Sequence, residues 1–155
     1  MSREHITDTS SLDNAPAYII HRVARVLRVH LLQFLAQAEY DITPEQWFIL
    51  FRLHEQEGIS QIELADQTLN DRPNITRLLH SLEKKKLVER RADPMDGRRS
   101  LVFLRPGGRK LLDRLFPGIM QERRRLFDGV SQDEVETLKE ILLRIESNAQ
   151  AGLSG

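Results

Sequence analysis

The chain has 155 residues, 40% hydrophobic and 30% charged, with 23 basic and 23 acidic side chains and no cysteine. That length suits about one domain with a sizeable core, and the composition is that of a soluble, helix-rich globular protein. Without cysteine there is no disulfide framework, thiolate metal site or cysteine redox switch. No apolar run reaches the ~20 residues that span a bilayer, and the polar first dozen residues hold no signal-peptide core. The expectation is a cytoplasmic protein with no membrane partner.

Residues 1–14 are polar and expected to fray. Over residues 15–39, Ile19, Val23, Val26, Leu27, Leu31, Phe34 and Leu35 keep helical spacing. A helix that long is hard to bury against one small domain, so its expected use is packing against a second copy of the chain. Arg22, Arg25 and Arg28 lie on its more polar side, where solvation is the simplest expectation. Thr43, Pro44 and Gln46 then form a capping box with proline in the first turn. The following run, residues 47–53, is apolar nearly all round, which marks a buried helix. Trp47, Leu50, Phe51 and His54 share one face, a core cluster first and a cavity lining second. Gly58 ends this helix, and Ile59 can add a short strand.

Ser60 and Glu63 have capping-box spacing and open a short helix over residues 60–67, with Ile62, Leu64 and Ala65 as its apolar contacts. A turn at 68–70 leads to a second helix over 71–86, capped by Asp71 with Pro73 in its first turn. Ile75, Leu78, Leu79 and Leu82 form one apolar stripe. Opposite lie Pro73, Arg77, His80 and Lys84, with Asn74, Thr76 and Ser81 on the shoulders. A rod backed by leucines and fronted by donors suits a DNA major groove, and the spacing is that of a helix-turn-helix. Two short strands follow, 87–90 and 100–104, joined through an Asp96-Gly97 turn that presents Arg98 and Arg99: a β-hairpin wing.

Past the wing, Pro106-Gly-Gly breaks the strand and helix resumes over 109–128, kinked or split at Pro117-Gly118. Arg123, Arg124 and Arg125 fall outside the winged module and are expected in surface or inter-subunit ion pairs. Ser131 and Glu134 cap a final helix striped by Val135, Leu138, Ile141, Leu142 and Ile145, and the tail from 150 is loose. Residues 71–99 hold nine basic and five acidic side chains, about +4 on a chain of net zero, leaving about −4 elsewhere. A basic reader on a mildly acidic frame suits site-specific DNA binding.

These motifs resemble the winged helix-turn-helix core of the MarR (multiple antibiotic resistance regulator) family of bacterial transcription factors. The match rests on Glu-Leu-Ala (63–65), Asn-Ile-Thr-Arg-Leu-Leu (74–79), Leu-Glu-Lys-Lys (82–85), Leu-Val-Glu-Arg (87–90), Asp-Pro-Met-Asp-Gly-Arg-Arg-Ser (93–100), Leu104 and Gly108. It is strong over 60–108 and looser outside. Lys86 stands where the family usually has glycine, and Arg105 where it usually has threonine. The resemblance implies a mainly α fold with a small β-hairpin wing, the core at 43–104 and interleaving dimerisation helices at 15–39 and 106–149. It also implies a homodimeric regulator of double-stranded DNA, commonly a repressor released by a small aromatic effector.

Base contacts are expected first from Arg77, whose guanidinium matches the paired acceptors of guanine. Asn74, Thr76 and His80 come next, for bases or phosphates. Arg98 would enter a narrow minor groove, with Asp96 orienting it, while Arg72, Ser81, Lys84 and Arg99 would hold phosphates. His30, Trp47 and Phe51 are the effector-pocket candidates. An enzyme is disfavoured: there is no glycine-rich phosphate loop, nucleophile elbow or paired-histidine metal motif, and neither cofactor nor metal is expected. The alternative is a winged interaction module that has lost sequence-specific DNA binding, against which Arg77 and Arg98 speak.

Overall fold

A computed structural model of the chain describes residues 11–38 and 41–153, so the expectations for residues 1–10 and for the last two residues lie outside it. The first helix ends at Leu35, short of 39, and the final helix runs on to Leu153 rather than loosening from 150. The chain forms two compact units, one ending at Pro117 and one beginning at Gly118.

In the first unit a 3₁₀ turn (Leu12–Asn14) precedes α1 (Pro16–Leu35), α2 (Pro44–Glu55), β1 (Ile59–Ser60), α3 (Gln61–Gln67), α4 (Arg72–Lys84), β2 (Val88–Ala92) and β3 (Ser100–Leu104). The predicted caps are in place. Thr43 Oγ1 accepts from the Gln46 amide at 3.2 Å while Gln46 Oε1 accepts from the Thr43 amide at 3.1 Å. Ser60 Oγ caps α3 through the Glu63 amide at 3.2 Å, one half of the expected box, without the return bond from the Glu63 side chain, and Asp71 Oδ1 caps α4 through the Asn74 amide at 2.8 Å. The three strands are antiparallel in the order β1-β3-β2, with Ile59 opposite Val102 and Val88 opposite Leu104. The core gathers Trp47, Ile49, Leu50 and Leu53 of α2, Leu64 of α3, Ile75, Leu79 and Leu82 of α4, and Val102 of β3. Each such side chain contributes ~1.5–3 kcal/mol by leaving water. Leu78, expected with that stripe, is only half-buried, and Phe48 of α2 is exposed.

α4 ends in a Schellman motif: the Lys86 amide donates to Glu83 O at 2.9 Å and the Leu87 amide to Leu82 O at 3.0 Å. Lys86 therefore occupies a left-handed seat, φ +60°, that glycine takes without strain. Lys86→Gly should raise stability by about 0.5–1 kcal/mol, the relieved strain outweighing the added chain entropy; urea unfolding with an unchanged slope would measure it.

The α1 arginines are not all solvated. Arg28 donates to both carboxylate oxygens of Glu45, at 2.8 and 3.2 Å, clasping α1 to the start of α2. This hydrogen-bonded pairing holds the Glu45 carboxyl below its usual range and raises Arg28. Because the Glu45 pKa is depressed on folding, the clasp stabilises at pH values above the unfolded carboxyl's and is lost as pH falls through the folded one. Glu45→Gln should therefore lower Tm slightly at neutral pH, with variant and wild type converging in acid, a difference read by thermal unfolding across pH.

α5 runs from Pro106 to Leu126, across the end of the first unit. Two expectations are corrected here. The helix starts at Pro106 rather than 109, proline being suited to a first helical position; and of the two outcomes expected at Pro117-Gly118, kink or split, the split does not occur, the helix continuing through Pro117. Pro117 and Asp113, whose carbonyl loses its donor, are both exposed, so water can take that carbonyl, while Leu111, Leu112 and Leu115 are buried and anchor the helix. In the second unit, Gly129 (φ +80°) turns the chain into α6 (Gln132–Leu153). Ser131 and Glu134 form the predicted reciprocal cap, at 3.1 and 2.8 Å. Arg125 pairs with Glu122 at 3.0 Å, and Leu138, Ile141, Leu142 and Ile145 form an exposed apolar stripe on α6.

Candidate nucleic-acid interface

α4 is held from behind and free in front. Ile75, Leu79 and Leu82 of its apolar stripe are buried, and Gln46 of α2, itself buried, donates from Nε2 to Ser81 Oγ at 3.0 Å, pinning the helix from the side. Ser81 is thus half-buried and turned toward α2, which makes it the least outward of the predicted phosphate ligands. Arg72, Thr76, Arg77, His80 and Lys84 are all exposed. Asn74 is half-buried, and both ends of its carboxamide are engaged: Nδ2 donates to Asn70 Oδ1, and Oδ1 accepts from an Arg77 guanidinium nitrogen at 2.5 Å. Thr76 donates to Arg72 O and accepts from Gln61 Nε2, both at 2.9 Å, tying α3 to α4 on the exposed side.

The wing is built by aspartates. Asp93 Oδ1 accepts from the Met95 amide at 2.9 Å and Asp96 Oδ1 from the Arg98 amide at 3.1 Å, two Asx turns that fold the tip back on itself. Asp96 thus bonds the Arg98 backbone and not its guanidinium, and Asp96, Arg98 and Arg99 are all exposed. Behind the tip, the Arg91 guanidinium stacks 4.3 Å over the Phe103 ring, and Arg90 of β2 pairs with Glu83 of α4. Arg72, Thr76, Arg98 and Arg99 line one cleft of about 280 Å³ with Ser60 and Gln61, so the start of α4 and the wing open onto a common space. Sequence reasoning missed Gln61 and Asn70, whose roles depend on neighbours in space; Gln61 in the first turn of α3 was the only local signal.

The effector candidates are placed less uniformly. Trp47 is fully buried, and its indole N–H finds no acceptor among the described residues. Phe51 is half-buried between Trp47, 5.9 Å away, and Phe116, on which it stacks at 5.5 Å. A second cleft, about 260 Å³, is lined by His54, Leu112, Asp113, Phe116 and Pro117. His30 is half-buried on α1 and is not among the residues lining it. No group of His, Asp and Glu that could hold a metal occurs among the described residues, and no described helix is long and apolar enough to cross a membrane.

A two-helix reader with an adjacent arginine-tipped hairpin defines a winged helix-turn-helix protein. A MarR-family model matches residues 42–100. The HTH-type transcriptional repressor NicR of Pseudomonas putida is 31% identical over 120 residues, 74% of this chain and 76% of that protein. Among solved structures, a probable transcriptional regulator from Pseudomonas aeruginosa shares 31% identity at a TM-score of 0.77, covering 87% of this chain and 99% of that one. The MepR–DNA complex of S. aureus shares 28% at 0.79, covering 90% and 99%. The chain belongs to the MarR family of transcriptional regulators.

Proposed function

We propose that the protein is a repressor that binds a pseudo-palindromic operator as a homodimer and is released by a small aromatic ligand. The observation that carries the DNA reading is the shared exposure of Arg77 on α4 and Arg98 on the wing, with Arg72, Thr76, Arg98 and Arg99 around one cleft. A helix in the major groove and a finger in the adjoining minor groove need this pairing. The repressor named among the relatives and the DNA-bound neighbour support the same direction. Dimerisation is supported by exposed apolar residues within each unit: Ile19, Val23 and Val26 on α1, and Leu138, Ile141 and Ile145 on α6.

Ligand release is supported by the aromatic series Trp47–Phe51–Phe116–His54 beside the second cleft, whose volume suits a single ring. A ligand that binds better when the two α4 helices are wrongly spaced for DNA draws the population off the operator. His30 would belong to the same effector region, from α1.

Selection of bound duplexes from random DNA tests the reading. Recovery of an inverted repeat, with half-sites separated by about one helical turn, is the expected result. A pool that fails to enrich, or a motif without symmetry, would count against it.

A further inference from the structure

We propose that Asn70, acting through Asn74, is a positioning residue that presets the Arg77 guanidinium for base recognition. Asn70 belongs to the turn between α3 and α4 and is fixed there twice: its amide donates to Ala65 O at 2.9 Å, and its side-chain Nδ2 to Thr68 O and Oγ1 at 3.2 and 2.9 Å. Its remaining oxygen accepts from Asn74 Nδ2, and Asn74 Oδ1 in turn accepts from Arg77. Three side chains thus run in series from an anchored, half-buried turn to an exposed reader. Leu69, in the left-handed region at φ +55°, bends the backbone just before Asn70.

An exposed arginine samples many rotamers, and a contact that must freeze it loses affinity by that entropy. Here one guanidinium nitrogen is already held by a carboxamide whose own rotamer is set from the turn. The arginine has five N–H donors, so one bond to Asn74 leaves a fork of donors for the O6 and N7 of guanine. Asn74 is consequently a link and not itself a reader of bases, which revises what its place on the helix surface suggests. The inference rests on the assignment of Arg77 to a base contact, and the test separates the two.

The probe is the duplex recovered by selection, compared with the same duplex carrying 7-deazaguanine at each guanine in turn, which removes the N7 acceptor. The readout is the ratio of affinities on the two duplexes with the full-length protein at fixed salt. Arg77→Ala should erase the discrimination at one guanine. Asn70→Ala should weaken it about three- to tenfold, Asn74→Ala to the same degree, and either should add nothing in the Arg77→Ala background. Asn70→Asp keeps an acceptor for Asn74 but loses the Nδ2 bonds to Thr68, so it should recover only part of the ratio. If Asn70→Ala misfolds, Asn74→Ala, which leaves the turn intact, carries the test.

Discrimination that survives Arg77→Ala would overturn the base contact and the relay with it. Discrimination lost in Arg77→Ala but untouched in Asn70→Ala and Asn74→Ala would overturn the relay alone. So would a losing effect of Asn70→Ala that persists without Arg77, or a changed preferred base in Asn74→Ala.

Discussion

Gly108→Ala is expected to destabilise the protein by about 3 kcal/mol, lowering Tm by on the order of 10 °C. A Cβ built at Gly108 would lie 2.3 Å from Leu87 O and 3.2 Å from the Leu104 side chain. The first of these is backbone and cannot rotate away. Leu87 O is already fixed by the Arg105 amide at 2.9 Å, where β3 passes into α5. The extra methyl must therefore part α5 from the start of β2 or bend the helix. Gly107 faces Lys86 O at a looser 3.1 Å, so Gly107→Ala is the milder comparison. Denaturant unfolding of the two variants measures the difference. Near-equal stabilities would mean that the approach at Gly108 is not the constraint the geometry makes it.

Arg77→Ala is expected to lower affinity for the selected duplex by about 1–3 kcal/mol in each half-site and to relax base preference there. Arg98→Ala is expected to lose ~1–3 kcal/mol as well, but with its effect concentrated on sites flanked by narrow A·T segments. Both side chains are exposed, so the fold should be untouched. Anisotropy titrations of both variants at one salt concentration, with circular dichroism as the fold control, give the comparison. An Arg98→Ala protein that binds as tightly as wild type would remove the wing from the interface.

What could be read in advance was what lies within a few residues along the chain. The stripe Ile75–Leu79–Leu82, the caps at Thr43, Asp71 and Ser131 and the Asp96-Gly97 tip are local patterns, and each corresponds to an observed element. Gly107 and Gly108 misled for the opposite reason: read locally they end a strand, whereas they lie in the first turn of α5, where Leu87 O leaves no room for a side chain at Gly108. Pro117 was read by its missing donor alone, without the buried leucines that hold the helix before it. At the reading face, exposure of Arg77 followed from helical phase. The Gln46–Ser81 bond joins residues 35 apart and could not. Nor does composition reveal that Arg28 would reach Glu45.

The two-residue strand β1 has an effect out of proportion to its length. Through Ile59 opposite Val102, Ser60 opposite Leu101 and the Gly58 amide on Val102 O at 2.9 Å, the hairpin is stitched to the residue that caps α3. The hairpin is therefore no independent flap, and its distance from the helices that follow β1 is a fixed ruler built into the fold. On the proposed DNA reading, exchanging loop residues at the tip should retune groove preference while the ruler stays the same. Shortening or lengthening the chain between Gly58 and Gln61 would instead change the gauge and, on that reading, should spoil both grips at once.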